Sequence, residues 1–284
     1  MRTVTFVDRS RTVQYPGQPP APRRLVTIVR YPAQGAPSVS DRVDAAPQRS
    51  GGPFPLVIFG HGFAVTPGIY APLLRAWARA GFVVAAPVFP LGNANAPGGP
   101  NENDLVNQPR DMSFVISEML TASAQRAGFF GGLIDPRRIA VSGQSDGGDT
   151  ALTAAYASRF RDRRIDAAVI LSGQQIPGVG GLDFPAPSPP LLAVQGLADT
   201  INLPATTYAF FDAAPAPKYL LTLPGAPHLG PYTGEQPQLA IVERVTTAFL
   251  DAYLKHSPGA LTRVAADGRV AGTAVLRADP PIGR

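Results

Sequence analysis

The segment Gly143-Gln144-Ser145-Asp146-Gly147-Gly148 sets a serine between glycines two positions to either side. It follows Arg138-Ile139-Ala140-Val141-Ser142, which reads as a buried strand, and precedes Asp149–Phe160, which reads as a helix. A G-x-S-x-G at a strand-to-helix turn is a nucleophile elbow. Side chains at the flanking positions would clash in so tight a turn, and glycine removes them. The serine oxygen then stands at the mouth of a helix whose N-terminus favours developing negative charge. That is the chemistry of an acyl-transfer nucleophile.

Serine needs a base, and histidine is the usual one near neutral pH. The chain has three: His61, His228 and His256. His61 lies in Phe59-Gly60-His61-Gly62-Phe63, directly after the apolar run Leu56–Phe59, where an oxyanion loop belongs. His256 follows the helical segment Gln238–Lys255, and a basic residue suits a helix C-terminus. His228 remains, on the Gly/Pro-rich loop Leu223-Pro224-Gly225-Ala226-Pro227-His228 after the strand Lys218–Leu223. Asp199, just beyond the apolar run Leu191–Gln195, is the candidate carboxylate. Asp183 and Asp212 compete with it, one in a loop and one on a helix expected at 203–214.

These residues need a scaffold. Thr3–Val7 and Leu25–Tyr31 read as early strands, and Pro32–Pro55 as a polar loop. The short apolar runs Leu56–Phe59, Val83–Pro87, Ile139–Ser142, Ala167–Leu171, Leu191–Gln195 and Lys218–Leu223 then alternate with helical patterns. Strands covered on both faces have this continuous apolar character. The helical stripes are Tyr70, Leu73, Leu74, Trp77 and Ala78; Met112, Val115, Ile116, Met119 and Leu120; and Ile241, Val245, Ala248, Phe249 and Ala252. Alternating elements predict an α/β fold with a mostly parallel sheet flanked by helices on both faces. One domain over 1–284 is expected, with its core at about 54–255. Asp267-Gly268 is expected to turn a small C-terminal hairpin over 261–277.

The strand–His-Gly-Phe segment, the elbow, Gly-Leu-Ala-Asp and Gly-Ala-Pro-His together resemble the α/β-hydrolase superfamily. The serine–aspartate–histidine chain order matches it and neither protease order. Within it, the chain from about Phe54 to Lys255 is similar to bacterial serine esterases of the cutinase, chlorophyllase and platelet-activating-factor acetylhydrolase type. The resemblance implies an oxyanion hole formed by the backbone N–H groups of Phe63 and Asp146. It departs at Asp146, where polyester-degrading cutinases carry methionine, and at Leu171-Ser172-Gly173-Gln174-Gln175, where they carry a tryptophan segment. The resemblance therefore carries over no aromatic clamp. Phe63, Gln174 and Gln175 are the expected substrate contacts, and Phe89–Gln108 is the expected rim. The Asp146 side chain is expected to turn away from the reaction, held by helix amides or a basic neighbour.

Composition bounds the rest. With 284 residues, 45% of them hydrophobic, the chain can bury a sizeable core. No run approaches the roughly 20 apolar residues of a membrane span. The absence of cysteine excludes disulfides and thiol catalysis. The net charge is +5, and only Lys218 and Lys255 among 25 basic residues are lysines. No basic run is interleaved with aromatics, so nucleic acid is not an expected partner. No metal or organic cofactor is expected, because three distant histidines and no cysteine give no metal-ligand spacing. A start at Met1 fits a cytoplasmic protein, and a trimmed mature chain fits a secreted one. The expected activity is hydrolysis of short- to medium-chain carboxylic esters through an acyl-enzyme. Hydrolysis of polyesters or long acyl esters, amidase or thioesterase activity, and a non-catalytic scaffold are the alternatives.

Overall fold

In the computed structural model, which describes residues 1–176, 179 and 181–282, the apolar runs pair into one nine-stranded sheet. Its strands are β1 (Arg2–Val13), β2 (Ala21–Arg30), β3 (Phe54–Gly60), β4 (Val83–Pro87), β5 (Ile134–Gln144), β6 (Ala167–Leu171), β7 (Leu191–Gly196), β8 (Lys218–Leu223) and β9 (Val275–Asp279). Their spatial order is β1-β2-β4-β3-β5-β6-β7-β8-β9. Strands β3 to β8 run parallel. The β1–β2 pair joins β4 antiparallel, and β9 closes the other edge antiparallel to β8. The fold class expected from the sequence is the one observed.

The helices are α1 (Ala71–Arg79), α2 (Gln108–Ala124), α3 (Asp146–Tyr156), α4 (Pro204–Ala213), the single turn α5 (Gly230–Thr233), α6 (Gln238–Leu254) and α7 (Ala260–Asp267). Successive strand residues point to opposite faces, so the sheet feeds two cores. Leu56 and Ile58 of β3 pack with Met112, Ile116 and Met119 of α2 and Leu152 of α3. Val57 and Phe59 pack on the other face with Leu73, Leu74 and Trp77 of α1 and Val245 and Phe249 of α6. Trp77 meets its polar need inside this layer, where Nε1 donates to Thr246 Oγ1 at 2.9 Å.

Several elements differ from expectation: β1 runs on to Val13 rather than ending at Val7, and β2 starts at Ala21 rather than Leu25. Helix α3 starts at Asp146 and ends at Tyr156 rather than spanning Asp149–Phe160. The elbow lets the helix begin directly after the serine, and Phe160 instead folds back in a turn to the Ala157 carbonyl. Strand β5 begins at Ile134, because Phe54 pairs with Ile134 before an irregularity in the ladder. The expected hairpin at 261–277 is a helix followed by a strand. Ala260, Val264 and Ala265 form a buried helical stripe in α7, and the last strand pairs with β8 rather than with its own neighbour.

One buried ion cluster ties the early strands to the rest. Arg23 of β2 is 1% exposed. Its Nε and Nη2 donate to Asp111 of α2 at 2.8 and 2.7 Å. Nη1 and Nη2 donate to Asp104 at 2.9 and 2.6 Å, on the 3-10 turn Glu102–Asn107. Both carboxylates are nearly inaccessible, and burial pushes Asp111 upward against the pull of Arg23. Truncating one partner of such a cluster leaves buried charge uncompensated, at about 3–5 kcal/mol. Arg23→Leu is expected to lower unfolding stability by that order in urea denaturation. A loss within about 0.5 kcal/mol would place Arg23 among ordinary surface residues.

Candidate active site

The elbow forms where β5 ends against β3. Ser145 adopts φ 56° and ψ −127°, a left-handed conformation that is costly for a residue with a side chain. Its N–H donates to the Leu171 carbonyl of β6 at 3.0 Å. A Cβ at Gly147 would stand 2.1 Å from the Gly60 carbonyl oxygen, and one at Gly143 would stand 2.1 Å from the Gly147 oxygen. No side chain fits at either position, as the motif requires. On the other side, a Cβ at Gly62 would lie 3.3 Å from Ser145 Cβ. The loop that carries Phe63 therefore runs directly beside the serine.

His228 and Asp199 meet beyond the ends of β8 and β7. His228 Nδ1 lies 2.8 Å from Asp199 Oδ2, and the aspartate is 2% exposed. Asp199 Oδ1 accepts the N–H groups of Ile201 and Asn202 at 2.9 and 3.0 Å. Gln195 Nε2 adds a contact to Oδ2 at 3.3 Å. An acceptor-only carboxylate at Nδ1 fixes the tautomer with the proton on that nitrogen, which leaves Nε2 as an acceptor. Gln144 Nε2 approaches it at 3.2 Å and also donates to the His228 carbonyl at 3.0 Å. Among the described residues no hydrogen bond joins Ser145 Oγ to His228, although Gln144 is its immediate neighbour. The competing aspartates lie elsewhere: Asp183 is exposed and accepts from Ser158 N–H, and Asp212 is exposed and pairs with Arg277. His256 is exposed just after α6.

Two supporting residues were not singled out from the sequence. Tyr70 donates its hydroxyl to Gln144 Oε1 at 2.7 Å and accepts the Gly62 N–H at 3.2 Å. It thus links His228, through Gln144, to the His-Gly-Phe loop. Tyr70 sits in an apolar stripe, and periodicity alone gives it a packing role. Gln144 was in view inside the pentapeptide, but its amide reveals its partners only once β8 delivers His228. His61 serves the same loop. Its Nε2 accepts the Phe89 N–H at 3.0 Å and its Nδ1 meets the Gly62 carbonyl at 2.8 Å. Burial lowers its pKa to about 4, so the ring is a neutral strut.

Asp146 is the anomaly. Its side chain is nearly inaccessible, and Oδ2 has no hydrogen-bond partner. Burial, then the Glu102 charge, raise its pKa to about 7, while its own backbone N–H works the other way. Asp149, one turn on, is pushed well above the usual carboxylate range by burial, despite accepting Gln174 N–H at 2.6 Å. Of the partners expected for Asp146, one helix amide, its own N–H, acts on it; in place of the expected basic neighbour, the carboxyls of Glu102 and Asp149 lie nearby. Gln174 is half-buried on this edge and Gln175 exposed. Phe63 is 36% exposed, a large apolar ring at the surface beside the serine. The 89–108 segment lies alongside: Gly92 accepts from Ala64 N–H, and Glu102 is close enough to act on Asp146.

A parallel sheet with helices on both faces, and a serine elbow after its central strand, make this an α/β hydrolase. The chain belongs to the chlorophyllase family, whose model matches residues 31–196, more than half of the chain. That family is one of α/β-hydrolase-type esterases, so the chain is read at that level as an ester hydrolase. The matched span includes His61 and Ser145 and stops short of Asp199 and His228. Among curated proteins none matches the chain.

The Asp146 environment has a measurable consequence for stability. A carboxyl whose folded pKa is raised binds its proton more tightly in the folded state, so stability falls as pH rises from the unfolded value, 3.8, to about 7. Asp146→Asn removes that loss. The variant is expected to exceed wild type in urea-denaturation stability at about pH 8, by a margin that shrinks toward about pH 4. A margin independent of pH would show that the Asp146 carboxyl is not held protonated by the fold.

Proposed function

We propose that the chain is a serine carboxylic-ester hydrolase in which Ser145 is the nucleophile, His228 the general base and Asp199 its orienting carboxylate. The carrying observation is the His228–Asp199 hydrogen bond of 2.8 Å, with Nε2 brought to the residue beside a serine held at positive φ. Ser145 Oγ displaces the Gln144 amide from Nε2 as it gives up its proton and attacks the ester carbonyl. The carbonyl π electrons move onto oxygen, which is received by the N–H groups of Phe63 and Asp146. Collapse expels the alcohol, protonated by His228, and leaves the acyl-enzyme. Water, deprotonated by the same histidine, attacks the acyl carbon, and Ser145 leaves with the returned proton. Asp199 stabilises the imidazolium in both halves.

The test is covalent and specific. An alkyl fluorophosphonate is expected to label Ser145 alone, and Ser145→Ala and His228→Ala are each expected to lose about 10³-fold or more in kcat. His256→Ala is expected to match wild type. A label on another serine, or near-normal turnover in Ser145→Ala, would remove the assignment.

Substrate range follows from the rim. Phe63 is its one large exposed ring, and Gln174 and Gln175 are polar. Such a rim favours soluble esters with short or medium acyl chains. Each further methylene gains about 0.8 kcal/mol only where a pocket buries it. On p-nitrophenyl esters, kcat/KM is expected to peak at roughly two to eight acyl carbons. Faster hydrolysis of emulsified triolein or a polyester film than of the best small ester would favour the lipase or cutinase alternative.

A further inference from the structure

The opposite rim of the sheet carries a concavity. Ser145, Asp199 and His228 lie beyond the C-terminal ends of the parallel strands. Arg30 ends the antiparallel strand β2 and pairs with Val84 at the start of β4, so it marks the other rim. There the chain after β2 folds back toward α1 and encloses a cavity of about 250 Å³.

Four guanidinium groups line this cavity: Arg30 and Arg42 from the strand and loop, Arg75 and Arg79 from α1. One carboxylate in the wall, Asp41, answers them. Arg30 is 3% exposed and spends Nε and Nη2 on Asp41 at 3.0 and 2.7 Å, which leaves Nη1 without a partner. Asp41 is then held by Arg30, and Arg75 reaches it only at 3.8 Å. Arg79 has a long contact to the Ser38 carbonyl, at 3.4 Å. Behind the wall, Glu243 of α6 feels the charges of Arg79 and Arg75, yet burial still raises its pKa. Counting Glu243, four guanidinium groups face two side-chain carboxyls. The remaining surface mixes an apolar wall, from Pro32, Pro37 and Ala78, with the polar Gln34, Ser38 and Ser40.

We propose that this cavity is a binding site for a small phosphomonoester, its phosphate held by Arg30, Arg75 and Arg79. Guanidinium groups match phosphate oxygens in paired hydrogen bonds, and a dianion balances the surplus charge. The volume equals about eight waters at ~30 Å³ each, room for a phosphate and a few carbons against the apolar wall. A polymer does not fit. The site is separate from the ester-hydrolysing reading and stands if that reading fails.

Calorimetric titration with propyl phosphate and with inorganic phosphate tests it, in about 0.15 M chloride to screen non-specific attraction. Propyl phosphate is expected to bind saturably and more tightly than inorganic phosphate. Arg75→Gln/Arg79→Gln, two substitutions at solvent-reachable side chains, is expected to weaken it about tenfold or more, a loss of about 1.4 kcal/mol, with an unchanged thermal midpoint. The proposal fails if no saturable binding is seen up to about 10 mM, or if the double variant binds as well as wild type. Co-sedimentation with phosphatidic-acid vesicles that is lost in the double variant, without binding of propyl phosphate, would overturn the soluble ligand in favour of a lipid headgroup.

Discussion

The backbone of β3 and the first turn of α3 touch. The Gly60 carbonyl oxygen stands where Gly147 would need a side chain, and the Gly147 carbonyl stands where Gly143 would need one. This contact lets β5 turn into α3 within a single residue, and that residue is Ser145. It also fixes how far β3 lies from the helix, and so where the His-Gly-Phe loop passes. Every other part of the site is placed relative to this contact. The aspartate arrives two strands along the sheet, after β7, and the histidine one strand further, after β8. Parallel strands deliver all three to one rim, because each ends on the same side.

Most polar groups around this contact are satisfied; among the described residues Ser142 Oγ and Asp146 Oδ2 are not. Asp199 accepts from two backbone amides, a histidine and a glutamine. Gln144 engages His228 with its nitrogen and Tyr70 with its oxygen. These bonds fix amide orientation and imidazole tautomer together, so the His228 ring is held without a ligand. Asp146 breaks the pattern, with an orphan oxygen one residue from the proposed nucleophile. Buried polar groups left unpaired are expensive, and protonation is the way this one is relieved at low pH. The anomaly lies within the pentapeptide itself, one residue after Ser145.

Much of this was legible in the residues. Six apolar runs appear as strands of the parallel sheet, and Val83–Pro87, Ala167–Leu171 and Lys218–Leu223 have the expected bounds. Continuous burial on both faces leaves a plain one-dimensional signal. The glycine spacing at 143 and 147 was legible because steric exclusion acts on nearest neighbours. The choice of Asp199 over Asp183 and Asp212 remained open in one dimension and rests on the contact with His228. Tyr70 and the Gln144 amide were hidden for a related reason: their partners lie 8 and 74, or 84, residues away. The C-terminal segment misled because Asp267-Gly268 suits a hairpin turn locally. Burial of Val264 against the α6 layer outweighs that preference, and a glycine then ends the helix.

The Arg23 cluster also bears on how the chain is made. Strands β1 and β2 leave the ribosome before the segments they dock on, and Arg23 meets Asp104 and Asp111 only after a further 81 and 88 residues. At about 5–20 residues per second, that delay is roughly 4–18 s. Through it the early hairpin carries a guanidinium without its two buried carboxylate partners and an edge that waits for β4. The hairpin's final burial is thus deferred until the 3-10 turn and α2 have emerged. Strands β1 and β2 are made before their counter-charges and dock late, and completion of the Arg23 cluster reports that the chain has been made at least as far as Asp111.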